Sequence, residues 1–236
     1  MKNSFLLKVG GLFMAGFISL NAAAQNTRTI SSKNFTSIAV SSGIDLFLTQ
    51  GNTESVVIKG REEVINDVVV EQEGNNLTIK YKEGINWGRL FRGAEIRAYV
   101  TVKKLNGITA SGGSDVETKS TINTDKMSIK SSGGADLDLN IVCKDISISS
   151  SGGSDITLKG IAENMILTTS GGSDVDAFDF KVNYAQVTTS GGSDANVYVN
   201  KGLTANATGG SDIHYKGNAA LKKVSNSKSA DITHVN

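Results

Sequence analysis

The sequence contains no proline and a single cysteine, Cys143. With no second cysteine an intrachain disulfide is excluded, so stability has to come from packing and backbone pairing. With no proline, the corners of the chain must be built from other turn-forming residues. Histidine is nearly absent too, and His214 and His234 stand apart without a metal-ligand spacing around them. No run of Lys and Arg is longer than a pair and the net charge is only +1, so no basic patch points to nucleic acid. The G-x-S-x-G word of serine hydrolases is missing as well.

Long apolar runs are missing everywhere except at the start. Residues 1–24 place Lys2 and Lys8 ahead of the run Val9–Leu20 and close on Ala22, Ala23 and Ala24. This is the layout of a secretory signal peptide, with cleavage expected after Ala24. The run is too short to span comfortably, since a membrane helix takes about 20 apolar residues. No cysteine follows it to carry a lipid. Once Lys2 and Lys8 are removed the net charge becomes −1. The expected location is the periplasm or surface of a Gram-negative bacterium.

What the chain does have is glycine, serine, threonine, asparagine and β-branched residues, the composition of strands joined by glycine-rich turns. It also has a repeated word. "SGGSD" stands at 111–115, 151–155, 170–174 and 190–194, with "SGGAD" at 132–136 and "TGGSD" at 208–212. The turn positions are therefore Gly112, Gly113 and Asp115; Gly133, Gly134 and Asp136; and Gly152, Gly153 and Asp155. They continue through Gly171, Gly172 and Asp174; Gly191, Gly192 and Asp194; and Gly209, Gly210 and Asp212. A degenerate copy, "SKSAD", ends on Asp231. Successive aspartates are separated by 21, 19, 19, 20, 18 and 19 residues.

Each unit alternates with period two, as in strands with one buried face. Leu137 and Leu139, Ile156 and Leu158, and Val197 and Val199 follow the aspartates. Met127 and Ile129, or Ile146 and Ile148, precede the next glycine pair. Pieces such as "LKGIAEN" and "FKVNYAQ" between the runs read as turns. A unit this short cannot bury its apolar face alone, whereas stacked units can. Constant period and phase favour winding in one direction, with each strand parallel to its equivalent in the next coil. The expected fold is all-β: a right-handed parallel β-helix, or solenoid, with about 19–20 residues per coil.

Three readings of the word compete. In the first, the glycine pair supplies the φ > 0 conformations of a tight corner, and the Ser and Asp side chains bond nearby backbone N–H groups. In the second, aspartates stacked one coil apart bind calcium, although the calcium-binding glycine-rich repeat has a third glycine that is missing here. In the third, the carboxylates catalyse polysaccharide cleavage, but a ladder of equivalent aspartates singles out no acid–base pair. We take the corner as the primary reading, with no cofactor required and calcium kept as the alternative.

Residues 25–107 lack the strict repeat. "SSGID" at 41–45 nevertheless aligns with "SGGSD" and puts Asp45 in the aspartate place. Strand-like runs follow at 55–59, 67–72, 76–81 and 95–102, and "EQEGNNLTIKY" reads as a hairpin. This half is expected to form irregular first coils and excursions that cover one end, ahead of the regular coils of 108–236, in a single domain over 25–236. The segment 84–95 holds Trp87, Arg89, Phe91 and Arg92, which could grip a sugar or an anionic glycan, or could plug the core while the arginines face water.

The opening at 35–51, "FTSIAVSSGIDLFLTQG", together with the export signal and the tandem "SGGSD" coils, resembles the auto-transporter adhesin head GIN domain proteins of Bacteroidetes-like bacteria. The resemblance covers nearly the whole exported part. It implies a pectin-lyase-like right-handed β-helix without lyase catalytic residues and a role in adhesion at the cell envelope.

The reading is of an exported, non-enzymatic binding or adhesion module that presents repeated polar faces to a polysaccharide or an envelope protein. No membrane span or nucleic-acid partner is expected in the exported chain. Two alternatives from other classes stay open. One is a polysaccharide lyase or hydrolase on a β-helix; the other is a calcium-binding or self-assembling structural protein that associates through the solenoid ends.

Overall fold

A computed structural model describes residues 26–85, 95–224 and 228–236. The chain begins with β1 (Asn26–Ile30), β2 (Ser37–Ser41), β3 (Ile44–Gln50) and β4 (Ser55–Gly60). A short helix, α1 (Glu62–Ile65), leads to β5 (Val68–Glu73), β6 (Asn76–Tyr81) and β7 (Ile96–Val102). The regular part opens with β8 (Gly107–Ser111), β9 (Asp115–Thr118), β10 (Ile122–Asn123), β11 (Lys126–Ser132), β12 (Asp136–Val142) and β13 (Asp145–Ser151). Three long strands follow, β14 (Asp155–Gly171), β15 (Asp174–Gly191) and β16 (Asp194–Gly209), then β17 (Asp212–Lys216), β18 (Ala220–Lys223) and β19 (Ile232–His234).

These strands form a parallel β-solenoid of about seven turns. Equivalent positions stack in register. Ile38 pairs with Ile108, Ile108 with Ile129, Ile129 with Ile148, Ile148 with Leu167, Leu167 with Val187, and Val187 with Ala205. All seven are buried, so one column of the core runs nearly the length of the molecule. A second column, Val116–Leu137–Ile156–Val175–Ala195–Ile213, runs beneath the opposite face. Burying apolar area at about 25 cal/mol per Å² is what holds stacked coils together in place of crosslinks. The period-two alternation is the sequence cause of both columns.

The front half departs from simple winding. The first coil in the chain, β2 with β3, is not the end coil in space. On one face β2 lies between β6 and β8, and on the other β3 lies between β7 and β9. The chain lays down β2 and β3, returns through β4 to β7 to build the coil on their outer side, and then crosses back to continue the stack with β8. The excursion closes with antiparallel pairs: β1 with β4, β4 with β7, and β5 with β6 as a hairpin. Arg28 ties this end together by donating from its guanidinium to the carbonyls of Ile65, at 3.1 Å, and Val68, at 2.7 Å.

One expectation fails in detail. The pieces "LKGIAEN" and "FKVNYAQ" are not breaks, because β14 and β15 run through them and turn the corner as strand. Gly160 makes this feasible in β14. Its φ is +123°, and a Cβ there would lie 2.0 Å from the Ile141 carbonyl oxygen of the preceding coil. In β15 the longer spacing between aspartates is absorbed as irregular register between Ala177 and Lys181 and between Val182 and Tyr184.

Candidate functional site

The six glycine pairs stack at one corner of the solenoid. Register links Gly171 to Gly191 and Gly191 to Gly209, and it links Asp115, Asp136, Asp155 and Asp174 in one row and Asp194 to Asp212 in its continuation. At the first glycine of every pair φ lies between 63° and 81°. A Cβ at any of them would come within 3.0–3.3 Å of a backbone nitrogen in the coil before. The first glycine is therefore fixed both by its left-handed conformation and by close approach. In the opening coil Ser42, with φ +69°, stands in this place.

The second glycine divides the corner into two kinds. Gly113, Gly134 and Gly153 have positive φ, whereas Gly172, Gly192 and Gly210 do not. The peptide between the two glycines is flipped accordingly. In the early coils Gly113 N–H donates to Gly133 O at 3.1 Å, toward the following coil. In the late coils Gly192 N–H donates to Gly171 O and Gly210 N–H to Gly191 O, both at 2.8 Å.

The aspartates change role at the same point. Toward an early coil the bond is between main chains: the N–H of Asp136, Asp155 and Asp174 donates to the carbonyl of Ser114, Ala135 and Ser154 in the coil before. In the late coils it is the carboxylate that accepts across coils. Asp194 N–H donates to Asp174 Oδ1 at 3.2 Å, Asp212 N–H to Asp194 Oδ1 at 3.0 Å, and Asp231 N–H to Asp212 Oδ1 at 2.9 Å. These bonds join neighbouring coils instead of closing the turn on itself.

The serine of the word faces inward and is fully buried at 114, 154, 173, 193 and 211. Ser154, Ser173, Ser193 and Ser211 each donate to the carbonyl three residues earlier, at 2.8–3.0 Å. Behind them, Thr169 Oγ1 lies 2.8 Å from Ser193 Oγ, and Thr189 Oγ1 lies 2.9 Å from Ser211 Oγ. Each threonine belongs to the coil before the serine it meets. Sequence reasoning missed this hydroxyl ladder, although the alternation of Ser131, Ser150, Thr169 and Thr189 at core-facing positions is the signal that could have disclosed it. Ser114 has no such neighbour because Val40 occupies the equivalent place one coil earlier, and its hydroxyl is buried without a partner.

Outside this corner, Asp45, Phe47, Asp115, Glu117, Asp136 and Asp138 line a shallow groove of about 510 Å³. Burial, then the Asp115 and Glu95 carboxylates, push Asp45 up to about 6 against the pull of Arg97. Asp115 is raised for the same reasons, by burial first and then by Asp136. The ring faces of the aromatic pair beside this groove are already occupied. Phe47 stacks on Tyr99 with centroids 5.0 Å apart, Lys119 lies 4.7 Å from the Phe47 centroid, and Lys59 lies 4.8 Å from that of Tyr99.

Among the described residues no three His, Cys, Asp or Glu side chains form a group able to hold a metal ion. Among the same residues no helix is long and apolar enough to cross a membrane. Cys143 is half-buried, and burial, with Asp145 adding to it, raises its thiol to about 11. Trp87, Arg89, Phe91 and Arg92 lie outside the described residues, as do residues 1–24.

The same architecture occurs in solved structures. A putative adhesin from Bacteroides fragilis superposes with a TM-score of 0.76 at 22% identity, covering 90% of this chain and 97% of that one. A putative adhesin from Parabacteroides distasonis gives 0.69 at 23% identity, covering 91% and 98%. A protein from the same species described as a putative lipid binding protein gives 0.69 at 18% identity, covering 90% and 95%. Likeness at these identities establishes the shared fold. No curated protein matches the chain. A family model described as "Putative auto-transporter adhesin, head GIN domain" matches residues 34–219. That span takes in the irregular first coils and nearly all of the glycine-pair coils, and the chain belongs to this head GIN domain family.

Proposed function

We propose that the protein is an exported, non-enzymatic adhesion module of the cell envelope that holds a polymeric partner through many weak, equally spaced contacts. The carrying observation is the register. Outward positions stack polar side chains in straight columns, such as Thr109–Lys130–Ser149–Thr168–Thr188–Asn206, at the ~4.8 Å strand spacing. A linear polysaccharide or an extended protein strand can engage several such positions at once, and linked contacts gain affinity without any single strong one. Family membership supports the adhesion reading and an extracellular or surface location, and the signal-like layout of residues 1–24 supports export.

This reading expects affinity to climb steeply with partner length. Calorimetry of the exported protein against oligosaccharides of increasing length, alongside the parent polymer, measures it. Equal affinity per site for monomer and polymer defeats the multivalent mechanism. N-terminal sequencing of protein recovered from the cell envelope should begin at Gln25.

A second reading, cleavage of a glycan, is favoured by one observation: Asp45, raised to about 6, sits one coil from Asp115. A raised carboxylic acid beside a carboxylate is the pairing that glycoside hydrolysis uses. Turnover of any polysaccharide that disappears in Asp45→Asn would install this reading in place of the first.

A further inference from the structure

On the face built by β11, β13 and the second halves of β14, β15 and β16, one outward column of hydroxyls gives way to an exposed apolar side chain. Where the earlier coils carry Ser128 and Ser147, the next coil carries Ile166, 53% exposed. Diagonally beside it on the following coil is Tyr184, 48% exposed, and the coil after that has Gly202 in register with the tyrosine. A Cβ at residue 202 would come within 3.2 Å of the Tyr184 ring, so the ring occupies the space that a side chain there would fill. The ring is held over the sheet instead of standing away from it. Lys201 stands over the ring at 5.6 Å from its centroid, farther than the lysines over Phe47 and Tyr99. It is itself 4.0 Å from Glu163, and a sugar stacked on this face displaces it.

Two clefts meet at this point. One, of about 310 Å³, is bordered by Asn164, Tyr184, Gln186 and Thr204. The other, of about 330 Å³, is bordered by Ser128, Ser147, Asn164 and Ile166. Asn164 belongs to both and is oriented by its amide, which donates to Asp145 Oδ1 at 2.8 Å. The two clefts share Asn164 as a common wall and follow one another along the solenoid axis, as a trough divided at that residue.

Resting on the adhesion reading above, we propose that this trough binds a neutral polysaccharide, with one pyranose ring stacked on Tyr184. Neighbouring sugars lie over Ile166 and toward Ser147. The chemistry selects this partner in three ways. A sugar has an apolar C–H face that suits an aromatic ring and a rim of hydroxyls that both donate and accept. Asn164, Gln186, Thr204 and Ser147 do the same. A protein partner would need about 800 Å² of complementary surface on each side, far more apolar cover than one tyrosine and one isoleucine supply. The nearby charges nearly balance, Lys126 with Asp145 and Lys201 with Glu163, which leaves Lys222 at one end as a single excess cation and no row of cations to draw a polyanion along the trough.

The test is affinity electrophoresis and calorimetry of the exported protein with four neutral polysaccharides (mannan, xylan, dextran and a β-1,3-glucan) and one anionic control, polygalacturonate. At least one neutral polymer is expected to bind. Tyr184→Ala should weaken that binding by about tenfold or more, Tyr184→Phe should preserve it, and Gln186→Ala should weaken it by a smaller factor. All three variants should melt with the parent, because these side chains are exposed. If a neutral polymer binds and Tyr184→Ala binds equally well, the site is wrong and the adhesion reading stands. Binding of the anionic polymer alone, or of none of the five, overturns the proposal.

Discussion

At the scale of single residues, the two glycines of each pair are not equivalent. Gly171 has φ +81° and would place a Cβ 3.1 Å from Gly152 N, while Gly172 has neither constraint. A left-handed conformation costs an L-residue about 1–2 kcal/mol. Gly171→Ala should therefore lower stability by at least about 1 kcal/mol, and Gly172→Ala should change it by a few tenths or raise it, since alanine also reduces unfolded-state entropy. Chemical denaturation of the two variants checks the contrast. Equal losses at both positions would show that the corner has been misassigned.

Asp45 makes a prediction whose sign depends on pH. Its carboxyl is raised from 3.8 to about 6 in the folded chain, so the folded state holds this proton more tightly than the unfolded one. The linked stabilisation is fully present below pH 4 and is lost as pH rises through about 6. Asp45→Asn should thus be more stable than the parent at pH 7–8, and the advantage should vanish by pH 4. The gain is reduced because the substitution also loses the attraction of Arg97, and by solvent screening at a half-exposed site. Melting curves from pH 4 to 8 decide it, and a variant less stable at pH 8 than at pH 4, relative to parent, contradicts the burial argument.

At the scale of elements, the hydroxyl ladder couples adjacent coils inside the core. Ser193 meets both Ser190 O and Thr169 Oγ1, whereas Ser114 is buried with no partner. A buried unsatisfied hydroxyl costs about 1–3 kcal/mol. Ser114→Ala should stabilise by about 1 kcal/mol, and Ala135, buried at the equivalent position of the next coil, shows that the site accepts alanine. Ser193→Ala should destabilise by a similar or larger amount, because it strands the Thr169 hydroxyl. Denaturation midpoints of opposite sign are the expected result.

The same scale shows how much of the fold was legible. The strands at β4 to β7 and the β5–β6 hairpin follow from alternation and from the turn at Gly74 and Asn75, which are local features. The corner after Lys159 was not legible as strand, because "KG" signals a break in isolation. What lets β14 continue is the approach of the Ile141 carbonyl from another coil. The inversion of coil order at β2 and β3 was hidden for a related reason: both sides of those strands are apolar-in and polar-out, so nothing local says which side the next coil takes.

At the scale of the whole molecule, a solenoid must stop its own stacking. The core column that runs from Ile38 through Val187 to Ala205 continues in register to Lys223, an exposed residue on a strand of four. A charge at a core-facing position of an edge strand opposes addition of another copy. This weighs against self-assembly through that edge. Lys223→Val should restore an apolar edge beside Leu221, already 40% exposed, and produce concentration-dependent association in sedimentation velocity. A strictly monomeric variant at high concentration would show that the end is closed by something other than this lysine.

By itself the sequence determined the coil, its period and its inward and outward faces, because alternation and a repeated left-handed corner are properties of neighbouring residues. It also located the aspartate row, including Asp45 in the irregular half. Only the tertiary structure decided what the row does: in the late coils carboxylates accept N–H groups from the next coil, while in the early coils they line an open groove. That division depends on one flipped peptide between identical glycines, and on which side chains the stacking brings face to face. Tyr184 over Gly202 is of the same kind, since residues 18 apart in the chain become neighbours only once the coils are laid one on another.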